Sequence, residues 1–450
     1  MTKDKNRFYN ITKGKKIAMQ LIDVLYCVIK IAMVLFATSL ALFFYRFIYL
    51  LYGFKKPKKF KDTDKKGKYA ILVAARDESA VIEGLLKSVK NQTYDKNLFD
   101  VYVVTETEDD PTNKICERYG YNFFVRKDLE NKHTKGFALD EVVKDIYSKN
   151  LKYDAFFIID ADNTIAPNYL EEMNKAYQSG VEVGMSYKNV TNINDNWVSC
   201  CSALLFSNVN TFQNKAKTRI SKTMLISGTG LYISSKILDN FRGFPFTTLT
   251  EDYELSNYLA AHKVKVDYVE MTDVYVQQPV KLSTVNKQRS RWVRGFLDVN
   301  GKLIREERAN ASKRNKFVYL GYRLAIIPNI LFIATMILYT LFLIGISITA
   351  LIMLDWHTLQ VAAWWLFGFL LSYQILLMIY TGLQFLAERK HLHIKKKIMF
   401  LTLLLNPFFI NLFIPQALVA LFNKNLGWKK IERTEIDIDK IEEQAEVKNG

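Results

Sequence analysis

Two aspartates placed two residues apart carry the strongest chemical signal in the sequence. Asp160 and Asp162 come at the end of an apolar run, AFFIID, which predicts a buried strand over Ala155–Asp160. Side chains two residues apart on an extended chain share one face, so both carboxylates can approach one hard cation. Solvated loop acids are the alternative, and the apolar strand ahead of the pair disfavours it. Because such sites hold Mg²⁺ through one or two carboxylates and substrate phosphates, we predict a Mg²⁺ or Mn²⁺ site here.

A second acidic group, Thr250-Glu251-Asp252, precedes a predicted helix over Leu255–Ala261. All three residue types suit a helix start, where oxygen atoms accept from free N–H groups and carboxylates face the positive end of the helix dipole. A carboxylate beside a reacting centre can also remove a proton from a hydroxyl group as a general base. Both roles can be held by the same residues.

The third signal is the run KQRSRWVRG, which places Gln288, Arg291 and Trp292 on about one helical turn, with Arg289 and Arg294 beside them. The planar fork of an arginine matches the oxygens of a phosphate. The face of a tryptophan ring can stack on the apolar face of a sugar. A basic amphipathic helix lying on a membrane is the alternative for this run alone.

The three signals in this order, ahead of apolar C-terminal segments, resemble the processive membrane enzymes of glycosyltransferase family 2. That family includes the cellulose, hyaluronan and poly-N-acetylglucosamine synthases. The resemblance covers residues 69–295 and, in general layout, the flanking membrane segments. It implies an α/β, GT-A-like nucleotide-sugar domain with a mostly parallel sheet, flanked by transmembrane helices, and a UDP-sugar as donor.

For the donor side, the resemblance implies that Asp160 and Asp162 hold the metal and the nucleotide diphosphate. Gln288 and Arg291 would lie over the same diphosphate. The segment KHTKGFALD resembles the family's Lys-Gly segment near the nucleotide, so Lys135 would touch phosphate. A solvated helix start is the alternative for Lys135.

For the acceptor side, the resemblance implies that Asp252 is the general base, with Trp292 at the acceptor sugar and Glu251 beside it. The segment SGTGLYIS, at Ser227–Ser234, resembles the family's acceptor-side loop. Its glycines are equally compatible with plain turn positions. One apparent base, without a second carboxylate placed as nucleophile, predicts a single displacement with inversion.

The contact to the nucleotide base departs from the family pattern. The segment AARDES, at Ala74–Ser79, resembles the family's nucleotide loop, but the next strand is followed by TETEDDPT. The family often has an aspartate there. We assign the base contact to Glu106, with Asp109 and Asp110 as rivals.

Strands and helices alternate through the soluble part, residues 69–315. The runs YAILVAA, DVYVVT, YNFFVR and AFFIID are apolar and short, and Val81, Ile82, Leu85, Leu86 and Val89 repeat at helical spacing. Alternation of this kind predicts a mostly parallel sheet, whose ligands bind at the carboxyl ends of the strands. The candidate residues after these strands should therefore meet at one edge.

Residues 1–54 are predicted to be a polar tail and a membrane helix, because Ile31–Tyr52 is apolar and long enough to span. The basic linker 55–68 places that end of the helix on the cytosolic side. It also favours contact with anionic membrane lipid. A cleaved signal peptide is the alternative, and the length of the apolar stretch disfavours it.

Residues 316–430 are predicted to hold an interfacial helix, Tyr319–Pro328, and two spans, Ile330–Leu354 and Val361–Leu386. A third apolar stretch, Ile398–Phe422, contains two prolines and is compatible with a kinked span, a re-entrant segment or an interfacial one. The basic loop between the second and third stretches should be cytosolic. Trp428 is a predicted interface anchor, and the acidic tail 431–450 is predicted to be disordered.

The net charge of +17 fits nucleic acid, anionic lipid or a phosphate-bearing substrate. The basic residues lack the signatures of nucleic-acid-binding modules, so we expect no nucleic acid partner. The four cysteines lack metal-ligand spacing and read as small buried residues of a reducing compartment.

The sequence thus predicts a multi-pass enzyme of the plasma membrane with a cytosolic catalytic domain, whose spans form a path for a growing polysaccharide. UDP-glucose and a β-glucan are favoured as donor and product. The alternatives are a poly-N-acetylglucosamine or hyaluronan-like synthase, and a non-processive transferase with a lipid-linked acceptor. A transporter or lipid-binding scaffold with a degenerate transferase domain is the rival from another class.

Overall fold

The computed structural model describes residues 2–130, 133–309, 327–353, 355–389 and 391–423. The described residues form two compact units. One contains the chain up to Ile48 together with residues 327–380, and the other contains Tyr49 to residue 309 together with residues 381–423. The predicted interfacial helix at Tyr319–Pro328 lies almost entirely outside the described residues, as do the end of the predicted soluble part at 310–315, Trp428 and the acidic tail.

An eight-stranded sheet forms the centre of the second unit, with the strand order β3-β2-β1-β4-β7-β6-β8-β5. Strands β1 to β4 are parallel neighbours, β7 runs antiparallel to both of its neighbours, and β6 and β8 are parallel. The sheet is therefore mixed and mostly parallel, as predicted. The strands are β1 Tyr69–Ala74, β2 Phe99–Thr105, β3 Asn122–Val125, β4 Ala155–Ile158, β5 Thr164–Ile165, β6 Val183–Val190, β7 Leu231–Ser234 and β8 Val266–Val276.

Helices cover both faces of this sheet and extend into the apolar segments. They are α1 Thr2–Gly53, α2 Ile82–Lys90, α3 Pro111–Tyr119, α4 Lys135–Ser148, α5 Tyr169–Gln178, α6 Trp197–Ser207, α7 Lys215–Ile220, α8 Ser235–Leu238, α9 Glu251–Ala261, α10 Leu282–Ala309, α11 Ile327–Met353, α12 Trp356–Glu388, α13 Lys396–Asn411 and α14 Phe413–Phe422. A π-helical turn, Asn208–Asn214, joins α6 to α7.

Alternate residues of the central strands build two separate cores. In β1, Tyr69, Ile71 and Val73 pack into one core and Ala70 and Leu72 into the other. Both sets are fully buried because helices cover both faces. Continuous apolar runs such as YAILVA are therefore what this sheet requires.

Four helical segments among the described residues are long and apolar enough to cross a membrane: Met19–Ser39, Leu331–Met353, Trp356–Glu388 and Lys396–Phe422. These agree with the predicted C-terminal segments. The N-terminal segment differs, because the candidate span begins before the predicted Ile31–Tyr52. The predicted polar tail is also part of a helix, since α1 begins at Thr2.

The third C-terminal segment is broken at Leu412 into α13 and α14. Pro407 lies inside α13 and removes one of its hydrogen bonds, whereas Pro415 lies in the first turn of α14, where proline is tolerated. Helix α13 packs on α6 and α14 packs on α10, so both halves contact the catalytic unit.

Candidate active site

One cavity of about 510 Å³ lies at the carboxyl ends of β1, β2 and β4. All nine side chains predicted from the sequence line it, although they come from five separate segments of the chain. They are Glu106, Lys135, Asp160, Asp162, Glu251, Asp252, Gln288, Arg291 and Trp292. The topology explains the convergence, because parallel neighbouring strands end at one edge of the sheet.

The two aspartates of the predicted metal site lie in a turn rather than on a strand. Strand β4 ends at Ile158, and the N–H of Asn163 donates to the carbonyl of Asp160 at 3.0 Å. The prediction that both aspartates lie on one face of a strand end was therefore wrong, although both carboxylates line the cavity. Asp162 is buried and accepts from the Asn163 amide at 3.0 Å.

The donor set of this turn fits a divalent cation bound together with a diphosphate. Lys135 Nζ donates to Asp160 Oδ1 at 2.5 Å, so a cation already lies against this carboxylate. Within the described residues, no group of three or more acidic, histidine or cysteine side chains is arranged to enclose a metal. A metal held by Asp160 and Asp162 would therefore need substrate oxygens to complete its coordination.

The turn Ser227–Gly230 connects the predicted metal site to the predicted base. Gly228 and Gly230 have φ values of +77° and +71°, a conformation that favours glycine. Thr229 Oγ1 accepts from the Asp160 N–H at 2.9 Å, and a Cβ on Gly228 would lie 3.4 Å from Asp252 Oδ2. These glycines are therefore turn residues, and the turn also forms part of the cavity wall.

Helix α9 begins at Glu251, so Glu251 and Asp252 belong to its first turn instead of preceding the helix. Asp252 Oδ1 accepts from the Tyr253 N–H at 2.7 Å, while Thr250 makes no side-chain cap bond. Burial raises the pKa of Glu251, the Lys135 ammonium opposes the rise and Asp252 adds to it, which leaves the pKa at about 7. Burial also raises the pKa of Asp252, opposed by the Tyr253 N–H and by the Lys188 ammonium.

Helix α10 presents its predicted site residues to the cavity and buries Arg289 on another side. Gln288, Arg291 and Trp292 line the cavity, and the Trp292 ring packs edge-on to Phe206 with 6.2 Å between centroids. Arg289 is buried elsewhere: its guanidinium donates to the Phe409 carbonyl at 2.7 Å and lies 4.0 Å from the Phe409 ring centre. Arg289 thus joins α10 to α13 and does not reach the cavity.

Glu106 follows β2 and lies on the cavity wall between two arginines. Its carboxylate is 3.0 Å from Arg76 Nε and 3.8 Å from an Arg126 nitrogen. The rival Asp110 caps α3 by accepting from the Thr112 N–H at 2.9 Å. Neither Asp109 nor Asp110 lines the cavity, so the geometry favours Glu106.

Residues 66–295 match the family model described as glycosyltransferase like family 2, which covers just over half of the 450 residues. The chain belongs to this family. A glycosyltransferase with a GT-A-like fold is therefore the enzyme class, as the three sequence signals predicted. The narrower resemblance to the processive synthases is not part of this match.

Curated relatives of this glycosyltransferase are about a quarter identical to it over the aligned half of the chain. A β-monoglucosyldiacylglycerol synthase of a Nostoc species is 24% identical over 232 residues, which is 50% of this chain and 48% of that protein. The probable glycosyltransferase YdaM of Bacillus subtilis is 24% identical over 259 residues, or 55% of this chain and 59% of that one. The chain thus matches only about half the length of these relatives.

A solved structure extends the similarity of fold to most of the glycosyltransferase. It is the mannosyltransferase PcManGT from Pyrobaculum calidifontis, determined in complex with GDP-Man and Mn²⁺. The two chains are 16% identical, with a TM-score of 0.53, and the match covers 88% of this chain and 100% of that one. At this identity the likeness concerns the fold.

Sequence reasoning assigned no role to several charged residues that line the cavity of this glycosyltransferase, and the most deeply buried of them is Lys188. Lys188 lies on β6, is 6% exposed and lines the cavity. Its ammonium donates to the Ser227 carbonyl and lies 4.9 Å from the centre of the Phe206 ring. A lone lysine inside the strand VGMSYKNV was the available signal, because lysine is almost never fully buried unless its charge is paired.

Proposed function

We propose that this chain transfers a hexosyl group, with inversion, from a UDP-sugar to a hydroxyl group of an acceptor supplied by the membrane. The supporting observation is the meeting of nine predicted side chains on one cavity, among them two carboxylates suited to a metal and one suited to proton removal. Asp160 and Asp162 hold Mg²⁺ or Mn²⁺ at the diphosphate. Lys135, Gln288 and Arg291 contact the same group.

Asp252 accepts the proton of the acceptor hydroxyl as the new bond forms at the anomeric carbon. The metal, when bound, neutralises charge on the departing diphosphate. Lys135 and Arg291 add positive charge on the same side of the cavity. A single base predicts one displacement and therefore inversion at the anomeric carbon.

Glu106 is the proposed contact to the uracil ring. A carboxylate can accept a hydrogen bond from the ring N–H of uracil. Glu106 lines the cavity directly after β2, at the edge where such sheets bind nucleotides. UDP-glucose is the favoured donor, with UDP-N-acetylglucosamine next.

The acceptor side of the cavity favours a molecule carried on membrane lipid. Phe206, Val209, Phe296 and Phe413 line it, and Phe413 belongs to α14 of the third apolar segment. An apolar wall that includes a residue of a membrane segment suits an acceptor that arrives from the bilayer. The name of the Nostoc relative, a synthase of a glucosyl lipid, supports the same class.

A processive synthase is the second candidate. Trp292 lies on the cavity wall with Gln288 and Arg291 on the same helix, which is the arrangement expected of a stacking platform beside the diphosphate. In this case Trp292 and Glu251 hold the end of the growing chain, and the product is a β-glucan. Poly-N-acetylglucosamine and hyaluronan-like products belong to the same candidate.

We place the enzyme in the plasma membrane with the catalytic unit in the cytosol. The exposed lysines of the linker, Lys55–Lys68, and of the loop at Lys395–Lys397 support this orientation. Anionic membrane lipid is the expected partner of these lysines.

The test supplies membranes containing the protein with one UDP-sugar at a time, in the presence of Mn²⁺, and measures released UDP. Organic extraction then separates short glycolipids from water-soluble polymer, and mass spectrometry gives the number of sugars. Membranes containing the Asp252→Asn variant provide the matched control. A glycolipid with one or two sugars supports the first candidate and long polymer the second, whereas absence of UDP release with every UDP-sugar contradicts the proposal.

A further inference from the structure

Lys188 is a buried cation on the cavity wall that the proposed chemistry does not yet use. It is 6% exposed, and its ammonium makes a hydrogen bond to the Ser227 carbonyl. A buried charge without an anion nearby is costly. The carboxylates of Asp160 and Asp252 oppose the fall in its pKa that burial causes. Lys188 therefore belongs to the charge balance of the cavity.

The Ser227 carbonyl places Lys188 at one end of the turn that connects the metal site with the base. Lys188 binds the carbonyl of Ser227, and Lys135 binds the next carbonyl, that of Gly228, at 2.6 Å. A Cβ added to Gly228 would lie 3.4 Å from Asp252 Oδ2, so the turn passes close to this carboxylate. Two ammonium groups thus hold consecutive carbonyls of the segment beside Asp252.

The lysines act on different carboxylates. Lys135 makes its direct contact with Asp160 on the metal side. Lys188 opposes the rise in the pKa of Asp252 more strongly than Lys135 does. Burial lowers the pKa of Lys188 to about 8, so its ammonium form still prevails at pH 7.

We infer that Lys188 is a positioning residue of the transfer reaction, which fixes the Ser227–Gly230 turn beside Asp252 and places a positive charge on the same cavity wall. This inference rests on the proposed function, because it assigns Asp252 as the base. Lys188 acts through Asp252 and need not contact the donor. It makes the acid limit of the reaction depend on a residue outside the three motifs.

Several charged groups face Asp252 or share its cavity, and the effect of Lys188 must be separated from theirs. They include Lys188 on β6, Lys135 on α4, Asp160 and Asp162 after β4, Glu251 on the same helix α9, and Arg291 on α10. A neutral residue at 188 leaves the other two cations in place. The acidic limb should therefore move by a moderate amount.

The experiment measures the rate of transfer against pH for the wild type, Lys188→Gln and Lys188→Arg, in detergent with saturating Mn²⁺ and UDP-sugar. Gln keeps a donor for the Ser227 carbonyl without the charge, and Arg keeps the charge. Removing a nearby cation raises the pKa of a carboxylate, so the acidic limb of Lys188→Gln should move up by about one pH unit. The limb of Lys188→Arg should stay within a few tenths of a unit of wild type.

Lys215→Met is the matched control. Lys215 is buried like Lys188, at 5% exposed, but its ammonium pairs with Glu270 at 2.8 Å and it does not line the cavity. Its loss should lower thermal stability and leave the pH profile unchanged. UDP affinity, measured separately by calorimetry, should change less than about threefold in Lys188→Gln.

An unshifted acidic limb in Lys188→Gln overturns the inference, as does a loss of UDP affinity of tenfold or more, which would make Lys188 a donor ligand. If Lys188→Gln lacks a cooperative melting transition, Lys188→Arg decides, and a shifted acidic limb in that variant overturns the inference. Absence of transfer by the wild type is a different result, since it contradicts the proposed function itself.

Discussion

Arg289 provides a sharp test of how the basic run of α10 is divided between structure and chemistry. It lies three residues from Trp292 in KQRSRWVRG, yet it is 2% exposed and packed between the Phe409 and Phe413 rings at 4.0 and 4.2 Å. We predict that Arg289→Met lowers stability slightly and leaves donor binding intact. Arg291→Met should leave stability nearly unchanged and weaken donor binding.

The expected loss of stability in Arg289→Met is the sum of opposing contributions. Methionine loses a hydrogen bond from a charged donor to the Phe409 carbonyl, which is about 2 kcal/mol. It also loses two contacts between a cation and a ring, each about 1 kcal/mol. Burial lowers the pKa of Arg289 to about 10, so removing the charge recovers about 3 kcal/mol of desolvation. The net loss is about 1 kcal/mol for methionine, and several kcal/mol for alanine, which also leaves a cavity.

Tryptophan fluorescence during heating in detergent measures the stability of each variant, and calorimetry measures its affinity for UDP in the presence of Mn²⁺. Arg289→Met should melt within a few degrees of wild type and bind UDP within about twofold. Arg289→Ala should melt clearly earlier. Tenfold weaker UDP binding by Arg289→Met, with an unchanged melting temperature, would place Arg289 at the donor and exclude its role as a structural anchor.

Three further outcomes are expected. Excess chelator, or Asp162→Asn, should reduce UDP release at least a hundredfold, because the diphosphate loses its neutralising cation; full release under either condition would exclude a metal role. The pKa of Glu251 is raised to about 7 in the folded state, so its contribution to stability is complete below about pH 4.5 and is lost as pH rises through 7. Glu251→Gln should flatten the fall in melting temperature over that range, and an unchanged slope would exclude Glu251 as its source. In a chain without native cysteines, a cysteine at His357 should be labelled from outside the cell and one at Lys395 should not; the reverse pattern would invert the topology.

The sheet and the composition of the cavity could be predicted because both depend on short-range patterns. Apolar runs such as YAILVA predicted the buried strands, and the residues directly after parallel strands had to meet at one edge. The same logic brought Glu106 and Asp160 together. The antiparallel position of β7 between β4 and β6 could not be predicted, because pairing across a long separation leaves no local pattern.

The finer geometry depended on contacts between distant segments. The sequence resemblance selected Arg291 over Arg289 but gave Arg289 no role, and only the packing of α13 and α14 shows that Arg289 is a buried anchor. Lys188 escaped notice for the same reason, since its partners, Phe206 and Ser227, are far along the chain. Asp160 and Asp162 were found through the wrong geometry, because a turn and a strand end have the same sequence signature.

The central claim is that Asp252 removes the acceptor proton during transfer from a UDP-sugar. The most direct measurement compares wild type and Asp252→Asn for two quantities under the same conditions: affinity for UDP with Mn²⁺, and the rate of sugar transfer. Asparagine keeps the side-chain oxygen that accepts from the Tyr253 N–H but cannot accept a proton. We expect UDP affinity within about twofold of wild type and transfer slowed by about 10²–10⁴. Transfer at the wild-type rate by the asparagine variant would contradict this claim.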